Sequence, residues 1–142
     1  MRRLANDAWE ALLTAHARLI KQFAAEDIWH DVSMREYDVL NTLSKSDEPL
    51  RMGELHRHLL LSQPALSRMV DRLAERGFIK RQADPADRRG VRLSLTRTGR
   101  EKQREIGRRH ARSVARAVTA ELDPGELEQL GTLCWKLARQ GK

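Results

Sequence analysis

The most regular hydrophobic pattern in the chain lies between residues 62 and 73. Its apolar positions follow the i, i+3, i+4, i+7 spacing of one helix face: Leu66, Met69, Val70 and Leu73. This spacing predicts a helix with one buried stripe. Ser62 precedes the helix as a capping residue, and Pro64 falls in the first turn, where its missing N–H costs nothing. Gly77 is expected to stop the helix.

Helical periodicity extends over most of the remaining chain. It predicts further helices over about 4–26, 34–44, 52–60, 96–122 and from 124 onward. Ser33 with Glu36, and Asp123 with Glu126, have the spacing of capping boxes at two of the helix starts. The last helix has apolar residues at the 3,4,3 spacing of a coiled-coil seam: Leu127, Leu130, Cys134 and Leu137.

Two short stretches, 78–83 and 91–95, alternate apolar with polar residues and predict the strands of a hairpin. The expected tip between them, 84–90, carries Arg88 and Arg89. A helix suited to the major groove beside a basic hairpin is typical of a winged helix-turn-helix. We therefore predict a mainly α fold with a small β-hairpin wing.

Chain length favours a single domain over 1–142. Within it, about 34–100 would form the winged helix-turn-helix unit. The flanking segments, about 4–30 and 101–142, are apolar along one stripe and would be buried by pairing with a second copy of the chain. The N- and C-terminal helices are thus expected to form a homodimer interface.

Positive charge is concentrated in the middle of the chain. Residues 51–100 hold 12 Lys and Arg against 5 Asp and Glu, which equals the net charge of +7 for all 142 residues. Clustered positive charge indicates a polyanionic partner, and its position on a helix and hairpin favours double-stranded DNA over a membrane. A single cysteine, no signal peptide and no long apolar run predict a cytoplasmic protein.

The run from Leu61 to Leu73, the Asp-Arg-Arg wing at 87–89 and Leu95-Thr96-Arg97-Thr98-Gly99 resemble the MarR family of bacterial transcription regulators. The resemblance covers nearly the whole chain. It implies a homodimer that binds a pseudo-palindromic operator, with the recognition helix in the major groove and the wing in the minor groove. It also implies a repressor released by a small phenolic or aromatic ligand. Arg89 would enter the minor groove, with its guanidinium held by Asp87.

The polar face of the recognition helix and the wing supply the predicted DNA contacts. Amide, hydroxyl and guanidinium groups can read base edges or bind phosphates, and a narrow minor groove attracts a guanidinium. The predicted DNA-binding residues are Ser62, Gln63, Pro64, Ala65, Ser67, Arg68, Arg72, Asp87, Arg88 and Arg89. Asp71 and Glu75 are expected to pair within the helix with Arg72 and neighbouring arginines rather than to contact DNA.

The candidate ligand-binding residues are aromatic or basic groups near the first two helices: Trp9, His16, Trp29 and Arg35. By the resemblance, the pocket would lie where the dimer helices meet the DNA-binding unit. Burial of both tryptophans in a dimer core is an equal alternative. Two other readings stay open, namely a redox sensor acting through Cys134 and a winged-helix protein with no effector. No metal site, cofactor or enzymatic activity is predicted, because no ligand set, phosphate loop or catalytic group is recognisable.

Overall fold

The computed structural model describes residues 1–139 as six helices and three strands. In chain order these are α1 Arg2–Ala24, α2 Met34–Ser44, β1 Leu50–Arg51, α3 Met52–His56, α4 Gln63–Glu75, β2 Ile79–Asp84, β3 Asp87–Leu95, α5 Arg97–Thr119 and α6 Pro124–Ala138. Within these described residues, none of the helices combines the length and apolarity needed to cross a membrane. The predicted mainly helical fold with a small wing is confirmed.

Local capping signals fix the starts of three helices as predicted. Ser33 and Asp123 form capping boxes before α2 and α6. The Ser62 hydroxyl accepts a hydrogen bond from the Ala65 N–H at 3.2 Å, which caps α4. Gly77 follows α4 with a φ of +80°, a left-handed conformation that glycine adopts without steric cost.

Helix α3 is shorter than predicted. It ends at His56, and the following residues continue in tighter turns in which His58 and Leu59 donate to carbonyls three residues back. The backbone carbonyls of Leu60 and Leu61 accept hydrogen bonds from side chains instead of from helical N–H groups. His56 Nε2 donates to Leu61 O at 2.6 Å, and Arg35 Nη1 donates to Leu60 O at 3.2 Å. These tertiary hydrogen bonds replace the last helical turn.

The three strands form an antiparallel sheet in the order β1-β3-β2. Leu50 lies opposite Leu93, and Ile79 lies opposite Leu95. The turn between β2 and β3 is shorter than predicted, because β2 continues to Asp84 and β3 begins at Asp87. Pairing shifts from Ala83↔Val91 to Asp84↔Asp87, so residues 88–90 form a bulge on β3 rather than the hairpin tip.

Two compact units divide the chain, one of residues 24–109 and one combining 1–23 with 110–142. The first contains the hydrophobic core. Its completely buried side chains come from helices and strands alike: Val39, Leu40, Leu55, Leu66, Val70, Leu73, Leu93 and Ile106. The predicted stripe of α4 therefore packs inward along its whole length, which turns its polar face outward.

The second unit has very little core of its own. Among its described residues only Phe23 and Ser113 are buried. The Phe23 ring meets the His110 ring edge-on, with centroids 5.4 Å apart, and so joins α1 to α5. Large apolar side chains are exposed on α1 and α6, including Trp9, Leu133 and Trp135.

A close joint connects the end of α4 to the start of α5. The Thr96 hydroxyl donates to Gly77 O at 2.5 Å and accepts from the Gly99 N–H at 3.0 Å. Gly99 packs so tightly on Phe78 that a Cβ there would collide with the Phe78 carbonyl oxygen. The Leu-Thr-x-x-Gly pattern therefore has a structural cause, since Thr96 caps α5 while the glycine admits the neighbouring backbone.

Candidate nucleic-acid interface

The outer face of α4 presents the polar side chains that were predicted to contact DNA. Gln63, Ser67, Arg68 and Arg72 are exposed, on the side opposite the buried stripe. Pro64 is also exposed and Ala65 is half-buried at the first turn. The Ser62 hydroxyl is already engaged in capping the helix. The face therefore combines an amide, a hydroxyl and two guanidinium groups on a rigid element.

An ion pair ties this helix to the wing. Arg81 on β2 donates to the Asp71 carboxylate on α4. The expectation that Asp71 pairs within the helix with Arg72 or a neighbouring arginine is therefore wrong, because β2 passes alongside α4 and brings Arg81 to the carboxylate. Glu75 forms no ion pair among the described residues. Arg72 keeps its charge free of any ion pair among the described residues.

A second ionic cluster holds the C-terminal end of α4. The Arg76 guanidinium contacts Glu36 Oε2 at 3.3 Å and Asp31 Oδ2 at 3.4 Å, and stacks over the Phe78 ring. Lys102 from α5 donates to the other oxygen of Asp31 at 3.0 Å. This hydrogen bond from Lys102 is the main reason that the pKa of Asp31 is lowered from its ordinary value. α2, α4 and α5 are thereby joined through one small set of charges.

The turn end of the β2–β3 hairpin is organised around the buried carboxylate of Asp84, which the sequence analysis did not identify. Arg51 Nε donates to Asp84 Oδ2 at 2.6 Å, and the Ala86 N–H donates to Oδ1 at 3.0 Å. Arg92 Nε lies 3.2 Å from Oδ1. The backbone hydrogen bond from Ala86, followed by the Arg51 and Arg92 guanidinium groups, holds the pKa of Asp84 below its ordinary value against the opposing effect of burial.

Gly90 belongs to the same arrangement. A Cβ on this residue would lie 3.0 Å from the Asp84 Cβ and 3.1 Å from its Oδ2. The bulge at 88–90 can therefore pack over the carboxylate because position 90 has no side chain. In the sequence, Asp84 is an acidic residue at the end of an alternating strand in a basic region. That position does not by itself indicate that its side chain is buried.

The two wing arginines are exposed on the bulge of β3 and make no ion pair with any described residue. The predicted pairing of Asp87 with the Arg89 guanidinium is not what the structure shows. Asp87 Oδ1 instead accepts a hydrogen bond from the Arg89 backbone N–H at 3.0 Å. The carboxylate thus fixes the backbone of the bulge and leaves both guanidinium groups available.

The four candidate ligand-binding residues differ in their surroundings. Trp9 and His16 are exposed on α1 in one unit, whereas Trp29 and Arg35 belong to the other. Trp29 is buried against Tyr37, with ring centroids 5.6 Å apart, and Arg35 contacts the Leu60 carbonyl. The ligand-binding role of these residues stays a prediction.

Cys134 is half-buried on α6. Over residues 1–139, His, Cys, Asp and Glu side chains nowhere gather in a group of three that could hold a metal ion.

Comparison with known proteins agrees with this arrangement. The MarR family profile matches residues 30–90, which contain the helix-turn-helix segment and the wing up to Gly90. The chain is 34% identical over 107 residues to the HTH-type transcriptional regulator YkoM of Bacillus subtilis, covering 75% of this chain and 68% of that protein. The chain belongs to the MarR family. It is thus a DNA-binding transcriptional regulator of the winged-helix type.

Two solved structures of MarR-fold proteins from Streptomyces coelicolor extend the comparison beyond the profile. Sco3205, a MarR family regulator solved in complex with DNA, superposes with a TM-score of 0.79 at 27% identity, covering 94% of this chain and 84% of that one. The PcaV regulator, solved with its natural ligand, has a TM-score of 0.69 at 25% identity, covering 95% and 92%. The MarR likeness therefore includes α1, α5 and α6 as well as the wing.

The lowered pKa of Asp84 makes the stability of this MarR-family wing dependent on pH. A carboxylate whose folded pKa lies below its unfolded value, 3.8, stabilises the fold above that value, and this stabilisation is lost as the pH falls through the folded pKa. We expect Asp84→Asn to be less stable than the wild type at about pH 7 and the difference to shrink towards about pH 3. Urea unfolding at each pH measures both free energies.

Asp47→Asn is the matched control, because it removes an exposed carboxylate for which the structure shows no hydrogen bond among the described residues. The free energy of unfolding of Asp47→Asn should stay close to that of the wild type at every pH. If Asp84→Asn lowered the free energy of unfolding by the same amount at every pH, the pKa of Asp84 would not be lowered in the folded protein.

Proposed function

We propose that the protein binds a pseudo-palindromic DNA operator through α4 and the wing and represses transcription until a small aromatic ligand releases it. The observation that carries the proposal is the contrast within the wing. Asp84 forms ion pairs with Arg51 and Arg92, whereas Arg88 and Arg89 on the bulge are exposed and form no ion pair among the described residues. Unpaired guanidinium groups on a rigid hairpin fit the negative potential of a minor groove.

The proposed contacts of α4 follow from the position of each side chain. Gln63, Ser67 and Arg68 lie in the first two turns, the part of a recognition helix that reaches base edges. Ser62, Pro64 and Ala65 lie at the helix N-terminus, where the positive end of the helix dipole favours a phosphate, although Pro64 has no N–H and the Ala65 N–H already donates to the Ser62 hydroxyl. Arg72, one turn beyond Arg68, would bind the backbone and position the helix.

The wing proposal predicts a selective loss of binding in Arg89→Ala. Removing one minor-groove guanidinium should weaken operator binding by about 1–3 kcal/mol without changing the unfolding midpoint. Asp87→Ala should have a smaller effect, because it loosens the bulge but leaves the guanidinium in place. The measurement is fluorescence anisotropy at fixed salt, using the operator found by footprinting the DNA upstream of the gene.

Arg3→Ala provides the control, since it removes an equal charge from an exposed arginine of α1 that faces Asp7 at 4.0 Å. Wild-type affinity in Arg89→Ala would show that the wing does not enter the groove.

Homodimer formation is supported by the unit built from the chain termini. That unit buries only Phe23 and Ser113 among its described residues, while apolar side chains on α1 and α6 face solvent. Exposed apolar surface of this kind marks an association site. A second copy of the chain offers the same helices in return and would place two copies of α4 on one duplex, with half-sites about 10 base pairs apart.

The dimer proposal predicts a change of mass in the double variant Leu130→Glu, Leu137→Glu. Both residues are exposed on α6 at the predicted seam positions. Burying their two new carboxylates at an interface costs several kcal/mol because the charges lose their water. We therefore expect the variant not to associate. Sedimentation at micromolar concentration should give a dimer of the 16.4 kDa chain for the wild type and a monomer for the variant.

The control Leu60→Glu, which changes a more exposed leucine in the other unit, should remain dimeric. A monomeric wild type would overturn this part of the proposal.

Ligand release is supported by PcaV, which was solved with its natural ligand. The residues proposed to bind an aromatic acid are Trp9, His16, Trp29 and Arg35. A ligand changes DNA affinity only by its differential affinity for the two states, typically about 1–3 kcal/mol. Titration with benzoate-type acids, followed by tryptophan fluorescence and by DNA anisotropy, should therefore show both a fluorescence change and DNA release, and Arg35→Gln should weaken both.

A different result distinguishes the alternatives. If no aromatic acid alters either signal and peroxide releases DNA from the wild type but not from Cys134→Ser, the thiol sensor replaces the ligand sensor. If neither treatment releases DNA, the protein binds its operator without an effector.

A further inference from the structure

Helix α5 carries a row of arginines that the winged helix does not use. Five of them recur at every fourth residue and all are exposed: Arg100, Arg104, Arg108, Arg112 and Arg116. Residues four apart form a continuous ridge on a helix surface. With a rise of 1.5 Å per residue, this arginine ridge is about 24 Å long.

The acidic residues of α5 do not neutralise the ridge. The helix contains eight Lys and Arg but only two Glu. Glu101 pairs with Arg97 at 3.3 Å, and Glu105 pairs with Lys102 at 3.7 Å and with Arg109 at 3.3 Å. Both glutamates are therefore occupied by basic residues outside the ridge, and over residues 1–139 no carboxylate forms an ion pair with a ridge arginine.

Such a row is unfavourable for the helix itself. Like charges four residues apart destabilise a helix by a few tenths of a kcal/mol for each pair, about as much as an opposite pair stabilises it. The ridge contains four such pairs, from Arg100–Arg104 to Arg112–Arg116. Arg108, at its centre, has like-charged neighbours on both sides. An anionic partner would convert this repulsion into attraction.

We infer that the arginine ridge of α5 is a second DNA-binding surface, which contacts the phosphate backbone of the duplex beside the operator. The inference rests on the proposed operator binding and adds contacts that carry no sequence information. About 24 Å of duplex presents roughly 14 phosphate charges. Each four-residue step turns the ridge by about 40° around the helix axis, so neighbouring arginines such as Arg104 and Arg108 face nearly the same direction and can contact phosphates of one duplex together.

Chemistry favours duplex DNA over the other polyanionic partners. A membrane-binding helix needs Trp, Phe or Leu beside its basic face, whereas the apolar Ile106 of α5 is completely buried in the core. Protein–DNA interfaces are much more positively charged than protein–protein interfaces, and the exposed apolar residues suited to a second copy of the chain lie on α1 and α6 instead.

The test compares two double variants of the full-length protein. Arg104→Gln, Arg108→Gln removes two ridge charges. Arg3→Gln, Arg97→Gln removes two exposed charges that already face a carboxylate four residues along, at Asp7 and Glu101. The two proteins have the same net charge, so any difference between them reflects where the arginines lie.

The probe is a labelled duplex of mixed sequence, about 40 base pairs long, titrated by anisotropy at several salt concentrations. The slope of log K against log salt should fall in magnitude by about 1.8 per protomer in the ridge variant, because each lost phosphate contact contributes about 0.9. Binding at the lowest salt should weaken about ten-fold or more, while the control variant follows the wild type. The unfolding midpoint of the ridge variant should stay the same or rise, since helix repulsion is relieved.

Three results would overturn the inference. The first is a ridge variant with the same salt slope as the control variant. The second is an unchanged slope together with a loss of the dimer on sedimentation, which would assign the ridge to contacts between protomers. The third is ridge-dependent binding to phosphatidylserine vesicles but not to the duplex.

Failure of the proposed function is distinguishable, because it would leave the wild type itself unable to bind duplex DNA. Wild-type binding that is lost in Arg88→Gln, Arg89→Gln but unaffected in the ridge variant would overturn the ridge alone.

Discussion

Burial of one stripe of α4 determines how the rest of the DNA-binding unit is arranged. Leu66, Val70 and Leu73 are completely removed from solvent, and each such side chain contributes about 1.5–3 kcal/mol of hydrophobic stabilisation. A helix so fixed about its own axis must present its polar residues on the opposite side. The exposed positions of Ser67 and Arg68 follow directly from this packing, and the ionic contacts of Asp71 and Arg76 then fix the helix against β2 and α2.

Charge in this protein is divided between two uses. Inside the fold, arginines are matched with carboxylates: Arg51 and Arg92 with Asp84, Arg76 with Asp31, and Arg81 with Asp71. A buried carboxylate such as Asp84 would be costly alone, but it shapes the wing when hydrogen bonds and guanidinium groups surround it. Other arginines, which form no ion pair among the described residues, lie on the exposed face of α4, on the wing and along α5.

The unit built from the chain termini follows a different rule. Its helices α1 and α6 are 23 and 15 residues long, and α6 begins with the Asp123 capping box, yet among the described residues of this unit only Phe23 and Ser113 are buried. Stable helices with uncovered apolar faces gain most by association, because hydrophobic stabilisation grows with the area removed from water.

The sequence by itself determined what depends on near neighbours along the chain. The stripe of α4, the caps at Ser62 and Asp123 and the wing strands were all predictable, because periodicity and capping act over three to seven residues. Tertiary structure decided what joins distant residues. Asp84 meets Arg51 across 33 positions, and Asp71 takes Arg81 rather than its neighbour. The bulge carrying Arg88 and Arg89 packs closely over the buried Asp84 through Gly90, a contact between residues of different strands that no local sequence pattern indicates.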